Sequence, residues 1–289
     1  MKLLTRLASG AFVRIDAHVH LWRYRPEEYP WIESGSTIAR DFLLSDLLAE
    51  LAGNDVGGCV VVQARQSDAE TRWLAGLVAK VPQILGVVGW VDLRSLQVSA
   101  DLERAAPGIV GYRHVVQDEP DDLFLLDPGF IRGVRAVAKR GFTYDLLVNR
   151  FQLRYVPAFL DAIGAARIVL DHAAKPDIAR GAWRPWATEI AAIASRPAVF
   201  CKISGLVTEA DHQNWRPAHL KPYLDHLLEC FGPERLIWGS DWPVCRLAAS
   251  YHDVLGLASD YVQRRCARYA EAIFGQNASR AYGLGGVLK

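Results

Sequence analysis

Eight short apolar segments rich in β-branched residues recur along the chain, and stretches with helical spacing of apolar residues separate them. The alternation predicts eight strands, at residues 13–17, 57–64, 84–93, 109–116, 142–148, 167–173, 199–206 and 235–240. Helices are predicted between them, at residues 43–52, 69–80, 130–140, 152–163, 187–195 and 217–231. A long helical tail is expected from about Tyr251 to Tyr282.

Near-continuous apolar strands that alternate with helices are typical of a parallel sheet covered by helices. Eight such units in about 250 residues match a (β/α)₈ TIM barrel in number and length. A doubly wound open sheet is the alternative, but it usually has a glycine-rich phosphate loop after its first strand. Here that position holds His18-Val19-His20. We therefore expect an α/β fold, a (β/α)₈ barrel that forms a single domain over residues 1–289.

The composition narrows the class of protein. Hydrophobic residues make up 51% of the chain, which allows a substantial core, and 33 basic residues nearly balance 32 acidic ones. The charge therefore gives no reason to expect nucleic acid or an anionic membrane as a partner. No apolar run approaches the roughly 20 residues that span a bilayer, and Met1–Phe12 lacks the apolar core of a signal peptide, which favours the cytoplasm. The five cysteines are scattered without a CxxC motif, which argues against a disulfide framework and a thiolate zinc site.

His18 and His20 stand at the end of the first predicted strand. Side chains alternate along a strand, so both imidazoles point the same way and could form half of a metal site. By spacing alone, two polar residues at the end of an exposed strand explain the pair equally well. The residues at the ends of the other predicted strands distinguish between these two interpretations.

Polar residues occur at the ends of all eight predicted strands. In chain order they are His18 and His20, Gln63, Trp90 and Asp92, Arg113 and His114, Tyr144 and Asp145, Asp171 and His172, Lys202 and Ser204, and Asp241 and Trp242. Catalytic groups of a barrel come from the carboxyl ends of several strands. Core packing would favour apolar residues at these positions, so the set indicates a functional site.

The motifs "DAHVHLW", "GYRHVVQ", "VLDHAAKP", "CKISGL" and "LIWGSDWPV" follow one another along the chain. Together they resemble the amidohydrolase superfamily, and more narrowly its branch of sugar-lactone hydrolases that contains L-fuconolactonases and L-rhamnonolactonases. The resemblance extends from about Val13 to Tyr282. The HxH motif is weak alone, whereas the ordered combination at strand ends is specific.

The resemblance implies that His18, His20, His172 and Asp241 hold a divalent metal ion. Neutral imidazoles and a carboxylate suit Zn²⁺, which would activate water or polarise a carbonyl. Binuclear members of the superfamily place a bridging carboxylate or modified lysine at strand four and a histidine at strand five. This chain departs from that pattern at both positions, so we expect one ion at most. Some relatives in this branch work without a metal, so the sequence leaves open whether the activity requires the ion.

The resemblance further implies a small sugar lactone as substrate, such as L-fuconolactone or L-rhamnonolactone. Asp241 is the expected general base, which takes a proton from water and returns it to the leaving oxygen. Because neighbours on a strand alternate, His114 is expected to face the barrel axis and polarise the carbonyl, with Arg113 reaching a hydroxyl or carboxylate. Substrate contacts are expected from the following residues, for each of which packing or a surface position is the alternative: Trp22, Gln63, Tyr144, Lys175 and Trp242.

Two other functions stay open at this point. A related branch uses a similar set of three histidines and an aspartate to release CO₂, so the chain could be a decarboxylase in which Arg113 binds the carboxylate of a small aromatic or unsaturated acid. A binding protein without activity is the third possibility, but the presence of all four expected metal ligands argues against it. The sequence does not decide whether the chain forms a homo-oligomer.

Overall fold

The computed structural model describes residues 12–284, in which eight parallel strands form one sheet. The strands are neighbours in chain order from β1 to β8. They span Ile15–Val19, Gly58–Val62, Ile84–Gly89, Ile109–Val115, Thr143–Leu147, Ile168–Leu170, Val199–Ile203 and Leu236–Trp238. The predicted fold class, a (β/α)₈ barrel, is confirmed, and β1 begins two positions later than the segment 13–17.

Helices follow the strands, and those before the last cover the outside of the barrel. They span Leu44–Gly53 (α1), Asp68–Val78 (α2), Val98–Glu103 (α3), Pro128–Lys139 (α4), Val156–Ile163 (α5), Trp186–Ala194 (α6), Pro217–Phe231 (α7), Tyr251–Cys266 (α8) and Asn277–Tyr282 (α9). Asp127 shows how the sequence starts them, since its carboxylate accepts the N–H of Phe130 at 2.7 Å and Pro128 follows at the first helical position.

The expected tail over 251–282 is interrupted rather than continuous. A 3₁₀ turn at Ala267–Tyr269 and a π-helical turn at Ala272–Gln276 separate α8 from α9. Gly275, in the π turn, lies so close to Phe12 that a Cβ atom there would be 2.8 Å from the phenyl ring. The change of helical geometry thus coincides with close packing against the start of the chain's described part.

The barrel closes where β1 meets the chain just beyond β8. The backbone N–H of Asp241 donates to the carbonyl of His18 at 2.9 Å. The N–H of His20 donates to the carbonyl of Trp242 at 2.7 Å. These two bonds bring the end of the first strand against the end of the last.

The buried carboxylate of Asp16 reinforces this seam. One of its oxygens accepts the backbone N–H of Ser240 at 2.9 Å and that of His18 at 3.1 Å. The hydroxyl of Tyr251, in α8, donates to the other oxygen at 2.8 Å. Burial raises the pKa of Asp16 to about 6, and these hydrogen bonds act in the opposite direction. One side chain therefore ties β1, the end of β8 and a helix together.

A bulge in β1 decides which of its side chains reach the mouth of the barrel. Asp16 is opposite Cys59 of β2, whereas Val19 is opposite Val61, so three steps along β1 match two along β2. A bulge re-aims the side chains that follow it. Ala17 packs in the apolar cluster inside the barrel, and the histidine pair comes directly after it.

The end of the barrel away from these histidines is filled by α9. Asn277 Nδ2, at the start of α9, donates to the carbonyl of Leu236 at 2.7 Å, where β8 begins. Side chains of α9 join strand residues in one apolar cluster that comprises Ile15, Ala17, Val60, Val62, Leu85, Val88, Val169, Ile237, Ala278, Ala281, Tyr282 and Leu284. The open end of the barrel is therefore the one at the carboxyl ends of the strands.

Two expectations concern membranes and export. None of the helices within residues 12–284 combines the length and apolar character needed to cross a bilayer. The segment Met1–Ala11, which makes up most of the stretch for which the sequence predicts no signal peptide, lies outside the described residues.

We predict that Asp16→Ala lowers the free energy of unfolding by about 3 kcal/mol, because it leaves buried N–H groups of the seam without their acceptor. Urea denaturation measures this value. Asp260→Ala is the matched control, because the side chain of Asp260, in α8, is 76% exposed, and it should change stability by less than about 0.5 kcal/mol. An Asp16→Ala variant as stable as this control would contradict the role of Asp16 in the seam.

Candidate active site

A cavity of about 940 Å³ lies at the carboxyl ends of the strands. This volume is ample for a small molecule. Most of the residues that line the cavity are polar: His20, Glu27, Glu28, Arg65, Gln66, Ser67, Arg113, Gln117, Asp118, His172, Lys175, Thr208, Glu209, His212 and Asp241. The structure thus brings His20, His172 and Asp241 together at one surface, as the sequence predicts.

The histidine pair at the end of β1 and Asp241 converge at the base of this cavity. His20 Nδ1 donates to the carbonyl of Val62 at 2.8 Å, which turns its Nε2 toward Nε2 of His18, 3.1 Å away. Asp241 Oδ1 lies 3.5 Å from Nε2 of His20 and 3.7 Å from Nε2 of His18. All three side chains are buried or nearly so.

His172 completes the group from the end of β6. Its Nδ1 is 2.9 Å from the hydroxyl of Ser204, and its Nε2 lies 4.0 Å from Asp241 Oδ1. The backbone from His172 to Lys175 has four consecutive residues with φ between 49° and 56°, and Asp241 has φ of 60°. Left-handed backbone is uncommon for residues other than glycine and is held in place by its surroundings, often at functional sites.

Two glycines make room for these side chains. Gly205, after β7, has φ of 62°, and a Cβ atom there would lie 2.6 Å from Nδ1 of His172 and 3.2 Å from Oδ2 of Asp241. Gly239, after β8, would place a Cβ atom 2.7 Å from Cβ of His18. A larger residue at either position would displace a side chain of the site.

Burial and neighbouring charges set the protonation of the group. Burial, with the charge of Lys202 next, holds the pKa of His18 well below its ordinary value. Burial lowers the pKa of His172 to about 4. Burial alone would raise the pKa of Asp241, but the surrounding His172, His20 and His18 hold it below its ordinary value. Near neutral pH, His18 and His172 are therefore uncharged beside an ionised carboxylate.

A layer of paired charges lies beneath the group. Lys202 Nζ is 2.6 Å from Asp145 and 2.9 Å from Asp171. Arg113 is 3.0 Å from the other oxygen of Asp171. Tyr282, from α9, donates its hydroxyl to Asp145 at 2.8 Å. The pattern of polar strand ends contains Asp171 and Lys202, but only the structure shows that they act as counter-charges inside the barrel.

The predicted orientations of Arg113 and His114 are wrong, because the two residues are exchanged. Arg113 lines the cavity and donates to the carbonyl of Gln63 at 2.5 Å. His114 points toward the helices, where its Nε2 is 2.5 Å from Glu119 and its ring stacks on Phe124. Alternation allows one of the two neighbours to face the axis, and the guanidinium finds its counter-charge there. His114 is therefore not placed to polarise a substrate carbonyl.

Four of the five expected substrate contacts lie behind the cavity wall. Tyr144 packs against Phe130 and Phe159, and Trp22 and Trp242 both pack against Phe42. Gln63 donates its Nε2 to the carbonyl of Arg113 at 3.3 Å. Large aromatic side chains fill the space between barrel and loops, a role that the sequence pattern does not distinguish from a pocket wall.

Lys175 is the expected substrate contact that does line the cavity. Its ammonium lies 3.7 Å from the carboxylate of Glu209, in the loop after β7. His212, in the same loop, also lines the cavity. The sequence did not indicate Glu209 or His212 as site residues, because neither stands at a strand end and the path of an irregular loop has no periodic signal.

The residues present fit a single divalent cation. His18, His20 and Asp241 each offer a ligand atom, and these atoms all lie within 4.8 Å of one another. Two ligands about 2.0–2.1 Å from a tetrahedral Zn²⁺ lie roughly 3.3 Å apart. The separations of 3.1 Å, 3.5 Å and 3.7 Å between the three pairs of atoms are close to this value. His172 stands beside them as a further imidazole.

The chain is similar to known proteins over more than nine-tenths of its length. The family model described as Amidohydrolase matches residues 15–284. The L-fucono-1,5-lactonase of Burkholderia multivorans is 41% identical over 288 residues, which cover 94% of this chain and 96% of that protein. The L-fucono-1,5-lactonase of Burkholderia ambifaria is 37% identical over 278 residues, covering 93% and 95%. A crystal structure of an amidohydrolase from Burkholderia multivorans with bound zinc has a TM-score of 0.91 at 40% identity, covering 94% and 99%.

We predict that His172 of the metal-free protein titrates with a midpoint of about 4, which NMR of its imidazole signals measures. The unfolded chain then binds more protons than the folded one between about pH 4 and 6.5, so stability falls as the pH falls through this window. The same signals in urea-unfolded protein are the control and should titrate near 6.5. A folded-state midpoint above 6 would contradict the environment assigned to His172.

Proposed function

This chain belongs to the amidohydrolase family, and we propose that it hydrolyses the ring ester bond of a sugar-acid lactone, with L-fucono-1,5-lactone as the first candidate. Proteins with that name are similar to the chain over more than nine-tenths of its length. The observation that carries the proposal is the position of Asp241, an ionised carboxylate among imidazoles at the base of a polar cavity.

Asp241 is the group we assign as general base. Its carboxylate takes a proton from a water molecule as the water oxygen bonds to the lactone carbonyl carbon. When the bond from that carbon to the ring oxygen breaks, Asp241 returns the proton to the departing oxygen. The product is an open-chain hydroxy acid.

Arg113 is the group we assign to the negative charge that develops on the carbonyl oxygen. It is buried, lines the cavity and is held on both sides, by Asp171 and by the carbonyl of Gln63. A donor fixed in advance stabilises a developing charge without reorganising during the reaction. Its Nη1 lies 3.4 Å from Nε2 of His18, so it borders the same group of imidazoles.

We assign His18, His20, His172 and Asp241 as the ligands of one divalent ion, Zn²⁺ by the chemistry of the donors. When bound, such an ion would supply a positive charge that polarises the carbonyl and favours ionisation of water. The similar amidohydrolase crystallised with zinc supports this assignment.

The charges of the cavity favour an uncharged substrate. Each of the three basic residues of its wall lies within 4 Å of a carboxylate: Arg65 with Glu28, Arg113 with Asp171, and Lys175 with Glu209. A substrate carboxylate would have to compete with these partners and with the further acidic residues of the wall. Hydroxyl groups, in contrast, can donate to the carboxylates and accept from Lys175.

The decarboxylase alternative is weaker for the same reason. It requires Arg113 to bind the carboxylate of an acid, but that guanidinium is already paired with Asp171 at 3.0 Å. The two named relatives are lactonases. We therefore keep lactone hydrolysis as the proposal.

Three expectations concern the whole chain rather than the site. They are the extent of the domain over residues 1–289, the cytoplasmic location and the possible homo-oligomer. Each stays a prediction from the sequence, because the geometry of the cavity does not bear on it.

We predict that Asp241→Asn lowers kcat for sugar-lactone hydrolysis by about 10³-fold, because the amide cannot accept a proton from water. A pH-indicator assay of acid release measures the rate. Asp260→Asn makes the same charge change at an exposed position of α8 and should leave the rate within about twofold of wild type. An active Asp241→Asn variant would refute the assignment of the base.

We also predict a preference between two sugar lactones that differ only at the terminal carbon of the sugar. The kcat/KM for an aldonolactone, which has a terminal hydroxyl, should be about 100-fold higher than that for the matching aldarolactone, which has a terminal carboxylate. The reason is that the cations of the cavity are already paired with carboxylates. Equal turnover would contradict the charge argument. Release of CO₂ from an aromatic acid, with no lactone opened, would favour the decarboxylase instead.

A further inference from the structure

Lys202 is a buried cation that has no role in the proposed mechanism. It lies in β7, its side chain is fully buried, and its ammonium is surrounded by acceptors of three residues. Nζ is 2.6 Å from Asp145 Oδ2, 2.9 Å from Asp171 Oδ1 and 3.0 Å from Nδ1 of His18. The contact with His18 ties this cation to the histidine pair.

The direction of the hydrogen bond from Lys202 to His18 follows from the chemistry of the two groups. An ammonium has donors and no acceptor, so Lys202 donates and Nδ1 of His18 accepts. A neutral imidazole that accepts at Nδ1 carries its hydrogen at Nε2. His18 therefore presents an N–H, not a lone pair, toward the base of the cavity.

His20 is arranged to receive that hydrogen. Its Nδ1 lies 2.8 Å from the carbonyl of Val62, which can only accept, so the hydrogen of neutral His20 sits at Nδ1. Its Nε2 is then a bare acceptor, 3.1 Å from Nε2 of His18. The hydrogen bonds run in one direction, from Lys202 through His18 and His20 to Val62.

The opposite tautomer of His18 has poorer contacts. A hydrogen at Nδ1 would face the ammonium of Lys202 at 3.0 Å, and two lone pairs would meet between His18 and His20 at 3.1 Å. Two contacts favour that tautomer: Arg113 would donate to Nε2, and Nδ1 would donate to Asp171. Both are longer, at 3.4 Å. The shorter contacts therefore favour the tautomer of His18 that carries its hydrogen at Nε2.

We propose that Lys202 is a positioning residue that holds His18 with its hydrogen at Nε2, so that this hydrogen bond and a cation bound to His18 exclude each other. A metal ligand must offer a lone pair, and a ligating histidine usually donates its other N–H to a carboxylate or carbonyl. For His18, that would mean moving the hydrogen to Nδ1, toward Asp171, while Lys202 gives up its contact. The inference rests on the proposed assignment of His18 to the metal-binding set.

The first test measures the tautomer directly. In ¹⁵N NMR of the metal-free wild-type protein, with the His18 signals assigned by loss in His18→Gln, we expect the hydrogen at Nε2. A hydrogen at Nδ1 would overturn the inference. Lactone turnover by wild type, measured separately, tests the proposed function, so either one can fail without the other.

The second test measures zinc affinity in variants at one fixed pH. Lys202→Met/Asp145→Asn removes the donor while keeping the net charge, so an effect of charge alone cancels, and Asp145→Asn is the control. After metal removal, competition with a chromophoric chelator should show Zn²⁺ binding about tenfold tighter to the double variant than to wild type. The control should bind no tighter than wild type. Unchanged or weaker binding by a double variant with a wild-type circular dichroism spectrum would overturn the inference.

Discussion

The seam between β1 and the end of β8 is the constraint on which the rest of the structure depends. Backbone hydrogen bonds join His18 to Asp241 and His20 to Trp242, so the two parts of the site furthest apart in sequence are fixed against each other. Asp16 secures the same seam from behind with its carboxylate. The positions of the proposed base and of the histidine pair are thus consequences of closing the barrel, not of loop placement.

Burying charge at the base of a barrel requires that each charge be compensated, and this requirement organises the site. Lys202 meets Asp145 and Asp171 at hydrogen-bond distances inside the barrel, and Arg113 meets the other oxygen of Asp171. An unpaired charge in such surroundings would be strongly destabilising. The same pairing keeps Arg113 fixed beside the cavity, whereas the surrounding histidines hold the pKa of Asp241 below its ordinary value.

The sequence predicts the barrel because the periodicity of apolar residues and the lengths of the elements are averaged over many positions. It predicts His18, His20, His172 and Asp241 as site residues because each stands at or just after the end of a strand. It fails for Arg113 and His114 because alternation says that the two face opposite ways but not which faces the axis; the answer comes from Asp171, on another strand. The predicted substrate contacts of Trp22, Tyr144 and Trp242 are wrong for a related reason, because an aromatic residue packs as well behind the wall of a cavity as on its surface. Glu209 lies in an irregular loop, whose path no local pattern encodes.

We propose that the chain opens a sugar lactone by attack of water on the carbonyl carbon, with Asp241 as base. Hydrolysis of L-fucono-1,5-lactone in H₂¹⁸O, followed by mass spectrometry of the product, tests this most directly. We expect one ¹⁸O atom per turnover in the carboxylate of the hydroxy acid and none in the hydroxyl that was the ring oxygen. Label in that hydroxyl, or no ring opening above the rate of the uncatalysed reaction, would contradict it.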